Sequence, residues 1–119
     1  MADVIFLVDD DDGSREAMAK TLERVGYDVR AFPDADEALE RIRSGDSVDA
    51  VVSDVRMPGM DGYEFLRQVR VQCPGLPFLL VTAFADVEDA VAALQDGADD
   101  YLTKPVKVQE LRQRVQLHL

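Results

Sequence analysis

The chain is poor in cysteine, in long apolar runs and in positive charge. Its one cysteine among 119 residues, Cys73, excludes an internal disulfide and a metal cluster built from several cysteines. A single thiol is consistent with the reducing conditions of a cytoplasm. The longest apolar runs, such as Val4–Val8, are far too short to span a bilayer. No basic segment precedes an apolar stretch near the N-terminus, so we expect neither a membrane span nor a signal peptide.

Acidic residues outnumber basic ones by 24 to 13, which gives a formal net charge of −11. Such a surface repels DNA and anionic membranes, so we expect no direct contact with either, whereas divalent cations and basic partners fit it. Hydrophobic residues make up 47% of the chain, enough for a core. The length suits one small domain over residues 1–119. No linker-like or low-complexity tract interrupts it.

Apolar runs alternate with helical patterns along the chain. An Asp followed three residues later by Glu predicts the start of two helices, at Asp34 and at Asp61. Short connections separate the elements, and alternating β and α segments predict an α/β fold in which helices cover both faces of a parallel sheet. The predicted strands are Val4–Val8, Asp28–Phe32, Asp49–Ser53, Pro77–Thr82 and Asp100–Thr103. One of the apolar helical stripes consists of Val87, Ala90, Val91 and Leu94.

Polar residues stand at the ends of four of the five predicted strands. Ligands bind beyond the carboxyl ends of the strands in open parallel sheets, so these side chains are expected to share one edge. Any one of them alone is more often a solvated loop residue, but their arrival from four strands favours a binding site. They are Asp9 and Asp10 after the first strand, Asp54 after the third, Thr82 at the fourth and Lys104 after the fifth.

The chemistry of this set is coherent. Three neighbouring carboxylates repel one another, so one of them must take up a proton unless a cation neutralises their charge. Oxygen ligands suit Mg²⁺, with Mn²⁺ as the alternative ion. Lys104 adds a positive charge suited to a phosphate, and Thr82 offers a hydroxyl. A carboxylate, a divalent ion, a lysine and a hydroxyl are the groups needed to accept a phosphoryl group.

Four stretches in combination make the chain resemble the receiver domain of bacterial two-component response regulators. They are "LVDDDD", "SDVRMPGMDG", "VTA" and "YLTKP". The resemblance covers essentially the whole chain and implies a doubly wound, five-stranded parallel sheet of order 2-1-3-4-5, the flavodoxin-like or CheY-like fold. The segments "DVRMPGMDG", "AFADVEDAV" and "DGADDYLTKP" are most similar to receivers of the NtrC/DctD type. Those receivers usually precede an ATPase and a DNA-binding domain.

The resemblance also implies roles for single residues. Asp54 matches the phosphorylated aspartate, and Thr82 and Lys104 match the phosphate-binding pair. Asp9 and Asp10 match the acidic pair of the metal site, in which Asp10 contacts the ion directly and Asp9 acts more often through water. Together with Asp54, the backbone carbonyl of Arg56 completes the metal ligands. Tyr101 matches the switch aromatic, which moves with Thr82, and Lys104–Pro105 matches a cis peptide bond.

The implied partner is a sensor histidine kinase in the cytoplasm. The implied output surface consists of the fourth helix, the fifth strand and the fifth helix, which also suits a homodimer. Such a domain assists its own phosphorylation but turns over no outside substrate, so we do not expect an enzyme. A phosphodonor histidine is not needed, and we interpret His118 as solvated. Phe84 stands where the family often has a smaller or more polar residue.

Two alternatives stay open. Asp9 and Asp11 after a strand resemble the nucleophile-and-acid pair of haloacid dehalogenase-type phosphatases, which also use Mg²⁺ and an aspartyl phosphate. In that interpretation Asp9→Asn abolishes covalent labelling, whereas in the receiver interpretation Asp54→Asn does. The second alternative is a phosphorylation-independent interaction module, which the complete polar set argues against. We expect Asp11 and Asp12 to lie in the turn and to favour the start of the first helix.

Overall fold

Strands and helices alternate along the chain, as the sequence predicts. The computed structural model describes residues 2–84 and 87–119, so Met1 and two residues of the segment "AFADVEDAV" lie outside the described part. The elements are β1 (Val4–Val8), α1 (Asp12–Val25), β2 (Asp28–Phe32), α2 (Ala35–Arg43), β3 (Ala50–Asp54), α3 (Gly62–Gln72), β4 (Phe78–Thr82), α4 (Val87–Gln95), β5 (Asp100–Thr103) and α5 (Val108–His118).

The five strands form one parallel sheet in the order β2-β1-β3-β4-β5. This confirms the predicted doubly wound fold. The strand order reverses between β1 and β3, which lie side by side with Val8 opposite Ser53. The residues that follow this pair, Asp9 and Asp54, therefore meet at the carboxyl edge of the sheet. In doubly wound folds this point of reversal is where ligands bind.

Two buried clusters cover the two faces of the sheet. Successive side chains of a strand point to opposite faces, and β1 shows this directly: Phe6 belongs to one cluster, while Ile5 and Leu7 belong to the other. Helices α2 and α3 pack on the first face, and α1 and α5 on the second. None of the helices in the described part of the chain has both the length and the apolar character that crossing a bilayer requires.

Three helices begin at aspartates that cap them. The side chains of Asp11, Asp34 and Asp61 each accept a hydrogen bond from the backbone N–H three residues on, at 2.7–2.9 Å. These bonds satisfy amide groups that the first helical turn leaves free, which confirms the helix starts predicted at Asp34 and Asp61. Helix α1 ends at Gly26, whose φ of 107° lies in the left-handed region that glycine adopts without strain.

The apolar stripe of α4 faces outward. Val87 is 80% exposed, Val91 49% and Leu94 48%, and the side chain that α4 buries is the small Ala93. The periodicity correctly indicates a helix but not what covers its apolar face, because a small residue on the opposite side lets the helix pack closely on the sheet. Helix α4 thus presents apolar surface to its surroundings.

Candidate functional site

Three carboxylates meet at the carboxyl edge of the sheet, as predicted. Each of Asp9, Asp10 and Asp54 places an oxygen within 4.8 Å of the other two. Asp9 is fully buried and Asp54 is 6% exposed, whereas Asp10 is exposed. The cluster is therefore closed on the side of the sheet and open to solvent at Asp10.

Lys104 reaches this cluster from the end of β5. Its ammonium nitrogen lies 2.9 Å from Asp9 Oδ2 and 3.4 Å from Asp54 Oδ2. Its backbone N–H donates to the carbonyl of Thr82 at 2.8 Å, which ties the ends of β4 and β5 together. The Lys104–Pro105 peptide bond is cis, as the resemblance implies. The predicted lysine and carboxylates thus share one site.

Asp9 is held by further hydrogen bonds. Its Oδ1 accepts from the backbone N–H of Asp11 at 2.9 Å, while its carbonyl accepts from the Arg15 guanidinium at 2.8 Å. Both carboxylate oxygens of Asp9 are therefore engaged, one with Lys104 and one with a backbone amide. Asp10, in contrast, extends from the same strand end into solvent, where it can reach a metal ion.

The three carboxylates carry more negative charge than Lys104 alone can balance. Burial raises the pKa of Asp54 to about 6, and the charge of Asp9 adds to this, although Lys104 and the Val55 N–H act in the opposite direction. Burial alone would lower the pKa of Lys104, but the hydrogen bond to Asp9 and the charges of both aspartates raise it. An ionised Asp54 therefore gains from an added cation, and an oxygen-only set of donors fits a hard divalent ion.

Thr82 ends β4 next to this cluster. The register pairs Asp54 with Val81, so Thr82 lies one residue beyond the phosphoacceptor candidate on the neighbouring strand. The side chain is fully buried, and its Oγ1 accepts a hydrogen bond from the backbone N–H of Phe84 at 3.1 Å. In this structure the hydroxyl oxygen is therefore engaged with the loop that follows β4.

The loop after Asp54 folds tightly back onto β3. The N–H of Gly62 donates to the carbonyl of Val55 at 2.8 Å, and a Cβ at Gly62 would lie only 2.4 Å from the Asp54 carbonyl oxygen. Gly59 serves the same loop in a different way, since its φ of 75° requires the left-handed region. The two glycines thus have separate functions, one in close approach and one in the turn.

Arg56 and Phe84 connect the two loops that flank the site. The Arg56 guanidinium lies 5.3 Å from the centroid of the Phe84 ring, a cation–π distance. The Arg56 side chain is exposed, and Phe84 is 66% exposed. The position of Arg56 two residues after Asp54 is compatible with the predicted role of its carbonyl, which stays a prediction.

Tyr101 is half-buried, and its hydroxyl lies 2.9 Å from the hydroxyl of Tyr63. Burial, and then the hydrogen bond to Tyr101, raise the pKa of Tyr63 above its usual value. Sequence reasoning missed Tyr63, because an aromatic residue in the first turn of an amphipathic helix is most simply explained as core. Only the pairing of α3 with β5 reveals its polar contact.

The expectation that His118 is solvated is wrong. Asp100, a buried residue at the start of β5, lies 2.9 Å from His118 Nε2 and accepts a hydrogen bond from Arg114 at 2.7 Å. Burial would raise the pKa of Asp100, but Arg114, His118 and the Tyr101 N–H outweigh it and lower this pKa. These bonds fix the end of α5 to the edge of the sheet opposite the acidic cluster.

Asp11 does not join the acidic cluster. Its Oδ2 accepts from the N–H of Ser14 at 2.7 Å, and the residue is exposed as the cap of α1. The phosphatase alternative needs this carboxylate as an acid beside Asp9. The phosphatase interpretation therefore lacks its second catalytic group in this structure.

The sheet is doubly wound, and an acidic site with a lysine lies where its strand order reverses. These features place the protein in the class of α/β domains that bind ligands at that point. Within that class, the family described as response regulator receiver domain matches residues 5–116. The chain belongs to this family of two-component receiver domains. The predicted fold and family are thereby confirmed.

Relatives of this chain are transcriptional and response regulators. It is 46% identical over 109 residues to the C4-dicarboxylate transport transcriptional regulatory protein DctD of Rhizobium meliloti, covering 92% of this chain and 24% of the relative. It is 42% identical over 118 residues to the response regulator protein FleR of Pseudomonas aeruginosa, and the alignment covers 99% of this chain and 25% of the relative. The chain thus spans about a quarter of the length of these relatives.

Solved structures support the same fold. The chemotaxis protein CheY4 of Vibrio cholerae superposes with a TM-score of 0.93 at 31% identity, over 100% of both chains. A response regulator from Chloroflexus aurantiacus superposes with a TM-score of 0.92 at 38% identity, over 99% of this chain and 98% of the other.

Proposed function

We propose that residues 1–119 form a single receiver domain that accepts a phosphoryl group on Asp54 from the phosphohistidine of a sensor histidine kinase. One observation carries the proposal: the nearly buried Asp54 carboxylate lies 3.4 Å from a lysine and within 4.8 Å of two more carboxylates. A buried nucleophile between a cation and a site for a metal is suited to phosphoryl transfer.

In the proposed reaction an oxygen of Asp54 attacks phosphorus. The new P–O bond forms as the P–N bond of phosphohistidine breaks, and the imidazole nitrogen keeps the bonding electron pair. Lys104 binds one of the phosphoryl oxygens, and the hydroxyl of Thr82 donates to another. Asp9 positions Lys104 for this role through the 2.9 Å hydrogen bond between them.

Mg²⁺, or Mn²⁺ as the alternative, would be held by Asp9, Asp10, Asp54 and the carbonyl of Arg56. When bound, the ion neutralises the carboxylates and the charge that develops on the phosphoryl oxygens. The oxygen-only donors and the raised pKa of Asp54 support this assignment. Small acyl phosphates can serve as donors in place of the kinase, because the domain supplies the groups for its own phosphorylation and dephosphorylation. It turns over no outside substrate and is in that sense not an enzyme.

The output of the proposed domain is a change of surface. Phosphorylation turns the Thr82 hydroxyl toward Asp54, and Tyr101 moves into the space that is vacated. This biases the face formed by α4, β5 and α5 between two states. The exposed Val87, Val91 and Val108 on that face support its use by a partner or by a second copy of the chain.

The location and the partners follow from the same proposal. We place the domain in the cytoplasm, where a kinase finds ATP and Mg²⁺. The similarity to the transcriptional regulatory protein DctD supports a role in transcription regulation. The ATPase and DNA-binding domains that usually follow receivers of this type would then provide the output. The net charge of −11 argues against direct contact of this domain with nucleic acid or membrane. A phosphorylation-independent interaction module is the remaining alternative, and covalent labelling of Asp54 would argue against it.

Intact-mass measurement tests the proposal. Incubation with Mg²⁺ and acetyl phosphate should add about 80 Da to the wild-type chain, and Asp54→Asn should abolish the addition. The exposed Asp12 belongs to the same acidic stretch, so Asp12→Asn is the matched control and should keep the label. A label that survives Asp54→Asn but not Asp9→Asn would favour the phosphatase interpretation instead.

A further inference from the structure

Tyr101 is tied to a second helix through Tyr63. We infer that Tyr63 is a positioning residue: its hydroxyl holds Tyr101 in the orientation of the unphosphorylated domain and so opposes the response to phosphorylation. The inference rests on the proposed function, because it assumes that Tyr101 changes orientation when Asp54 is modified. It adds a residue of α3 to a switch that otherwise involves β4 and β5.

Tyr63 is fixed relative to the phosphoacceptor candidate. It follows Gly62, whose N–H donates to the Val55 carbonyl at 2.8 Å. Gly62 also packs so closely on the Asp54 carbonyl that a side chain would lie only 2.4 Å away. The backbone of Tyr63 is therefore tied to the end of β3, and from this position its hydroxyl reaches that of Tyr101.

The contact between the two phenols is a short hydrogen bond in a half-buried place. The oxygens of Tyr63 and Tyr101 lie 2.9 Å apart, and the residues are 38 positions apart in the sequence. Burial raises the pKa of Tyr63, so its phenol keeps its proton. A hydrogen bond that is partly shielded from water stabilises one arrangement of the two side chains.

A change of rotamer breaks this bond. Staggered rotamers of Tyr101 lie about 120° apart, so a switch between them carries the phenolic oxygen well beyond hydrogen-bond length. In the inferred switch, the unmodified state keeps the bond and the modified state loses it. A ligand that binds only the modified state must then supply the free energy that breaks the bond. Removing the bond therefore strengthens the binding of that ligand by the factor to which this free energy corresponds.

Beryllofluoride, which mimics a phosphoryl group on a carboxylate, provides the test at saturating Mg²⁺. Amide NMR signals around Asp54 report its binding. Tyr63→Phe removes only the hydroxyl and should lower the apparent dissociation constant about 2- to 12-fold, the range that one hydrogen bond allows. The affinity for Mg²⁺ alone should not change. Tyr63→Leu, which also lacks the hydroxyl, should likewise lower the dissociation constant for beryllofluoride.

Two controls separate this positioning role from a general structural effect. Tyr27→Phe removes the hydroxyl of a partly buried tyrosine in the other core cluster and should leave the affinity for beryllofluoride unchanged. In a Tyr101→Phe background, Tyr63→Phe should have no further effect, because the bond is already lost.

An unchanged or weaker affinity in folded Tyr63→Phe would overturn the inference, and so would an equal gain in the Tyr101→Phe background. Both outcomes leave the phosphoacceptor function intact. A wild-type domain that does not bind beryllofluoride would instead contradict the proposed function itself, which keeps the two failures distinguishable.

Discussion

The ammonium of Lys104 lies 2.9 Å from Asp9 Oδ2, closer than its 3.4 Å distance to Asp54 Oδ2. Asp9 is fully buried, so Lys104 supplies charge to a carboxylate that water cannot reach. The lysine thus has a structural role in the unmodified domain besides its proposed role in binding the phosphoryl group. The two roles can be separated by experiment.

Replacement of Lys104 should destabilise the metal-free domain. Lys104→Met leaves Asp9 buried and without its cation, which should lower the free energy of unfolding at pH 7 by about 2–4 kcal/mol. Denaturant unfolding measures the change. Added Mg²⁺ should recover part of the loss, whereas Lys107→Met, which removes an exposed lysine, should have little effect. A Lys104→Met domain as stable as wild type would contradict this pairing.

Replacement of Asp54 should have the opposite effect. The pKa of Asp54 rises from 3.8 to about 6 on folding, so ionising this group costs the folded domain stability as the pH rises through that window. Asp54→Asn removes the cost and should stabilise the metal-free domain by about 1–2 kcal/mol at pH 7. The gain should vanish below about pH 4, where both states are protonated. Thermal unfolding across this pH range is the measurement, and destabilisation at pH 7 would contradict the prediction.

Binding of Mg²⁺ should depend on pH for the same reason. A proton on Asp54 competes with the ion, so the affinity should be nearly constant above about pH 7 and fall about tenfold per unit below pH 6. Titrations at pH 7.5, 6 and 5 measure this dependence. In Asp54→Asn, which binds the ion more weakly, this part of the pH dependence should disappear, and a profile identical to that of wild type would assign the titration to another group.

Arg70 should matter for stability but not for labelling. Its guanidinium donates to the carbonyls of Cys73, Leu76 and Gly97 at 2.7–3.1 Å, which joins the end of α3 to the turn before β5. Arg70→Lys cannot reproduce this set of bonds and should lower the free energy of unfolding by about 2–3 kcal/mol. Arg67→Lys, at an exposed ion pair, should cost less than about 0.5 kcal/mol. Both variants should still gain mass from acetyl phosphate.

The exposed side of α4 should mediate self-association if the proposed face pairs with a second copy. Sedimentation of the beryllofluoride-bound domain should then show a dimer, and Val91→Glu should prevent it by placing a charge on the apolar face. Val71 on α3 is 87% exposed and lies outside that face, so Val71→Glu should not affect association. A dimer that resists Val91→Glu would show that another surface is used.

Most of the fold could be predicted from the sequence, because the patterns that indicate strands, helices and caps involve residues close together in the chain. Apolar runs and helical periodicity depend on near neighbours, as does the capping of α2 and α3 by Asp34 and Asp61, so all three can be recognised in the sequence. The same holds for the acidic edge: residues that follow parallel strands must meet at one side of the sheet, which brings Asp9 and Asp54 together.

Only the tertiary structure decided which polar side chains pair and which apolar faces are covered. The hydrogen bond between Tyr63 and Tyr101 and the contact of Asp100 with His118 join segments far apart in sequence. Their existence depends on helix positions that no local pattern encodes. Likewise, periodicity indicates that α4 has an apolar face, but the small Ala93 on its other side determines that this face stays exposed. These pairings and exposures depend on distances between remote segments, which the packing of the helices on the sheet determines.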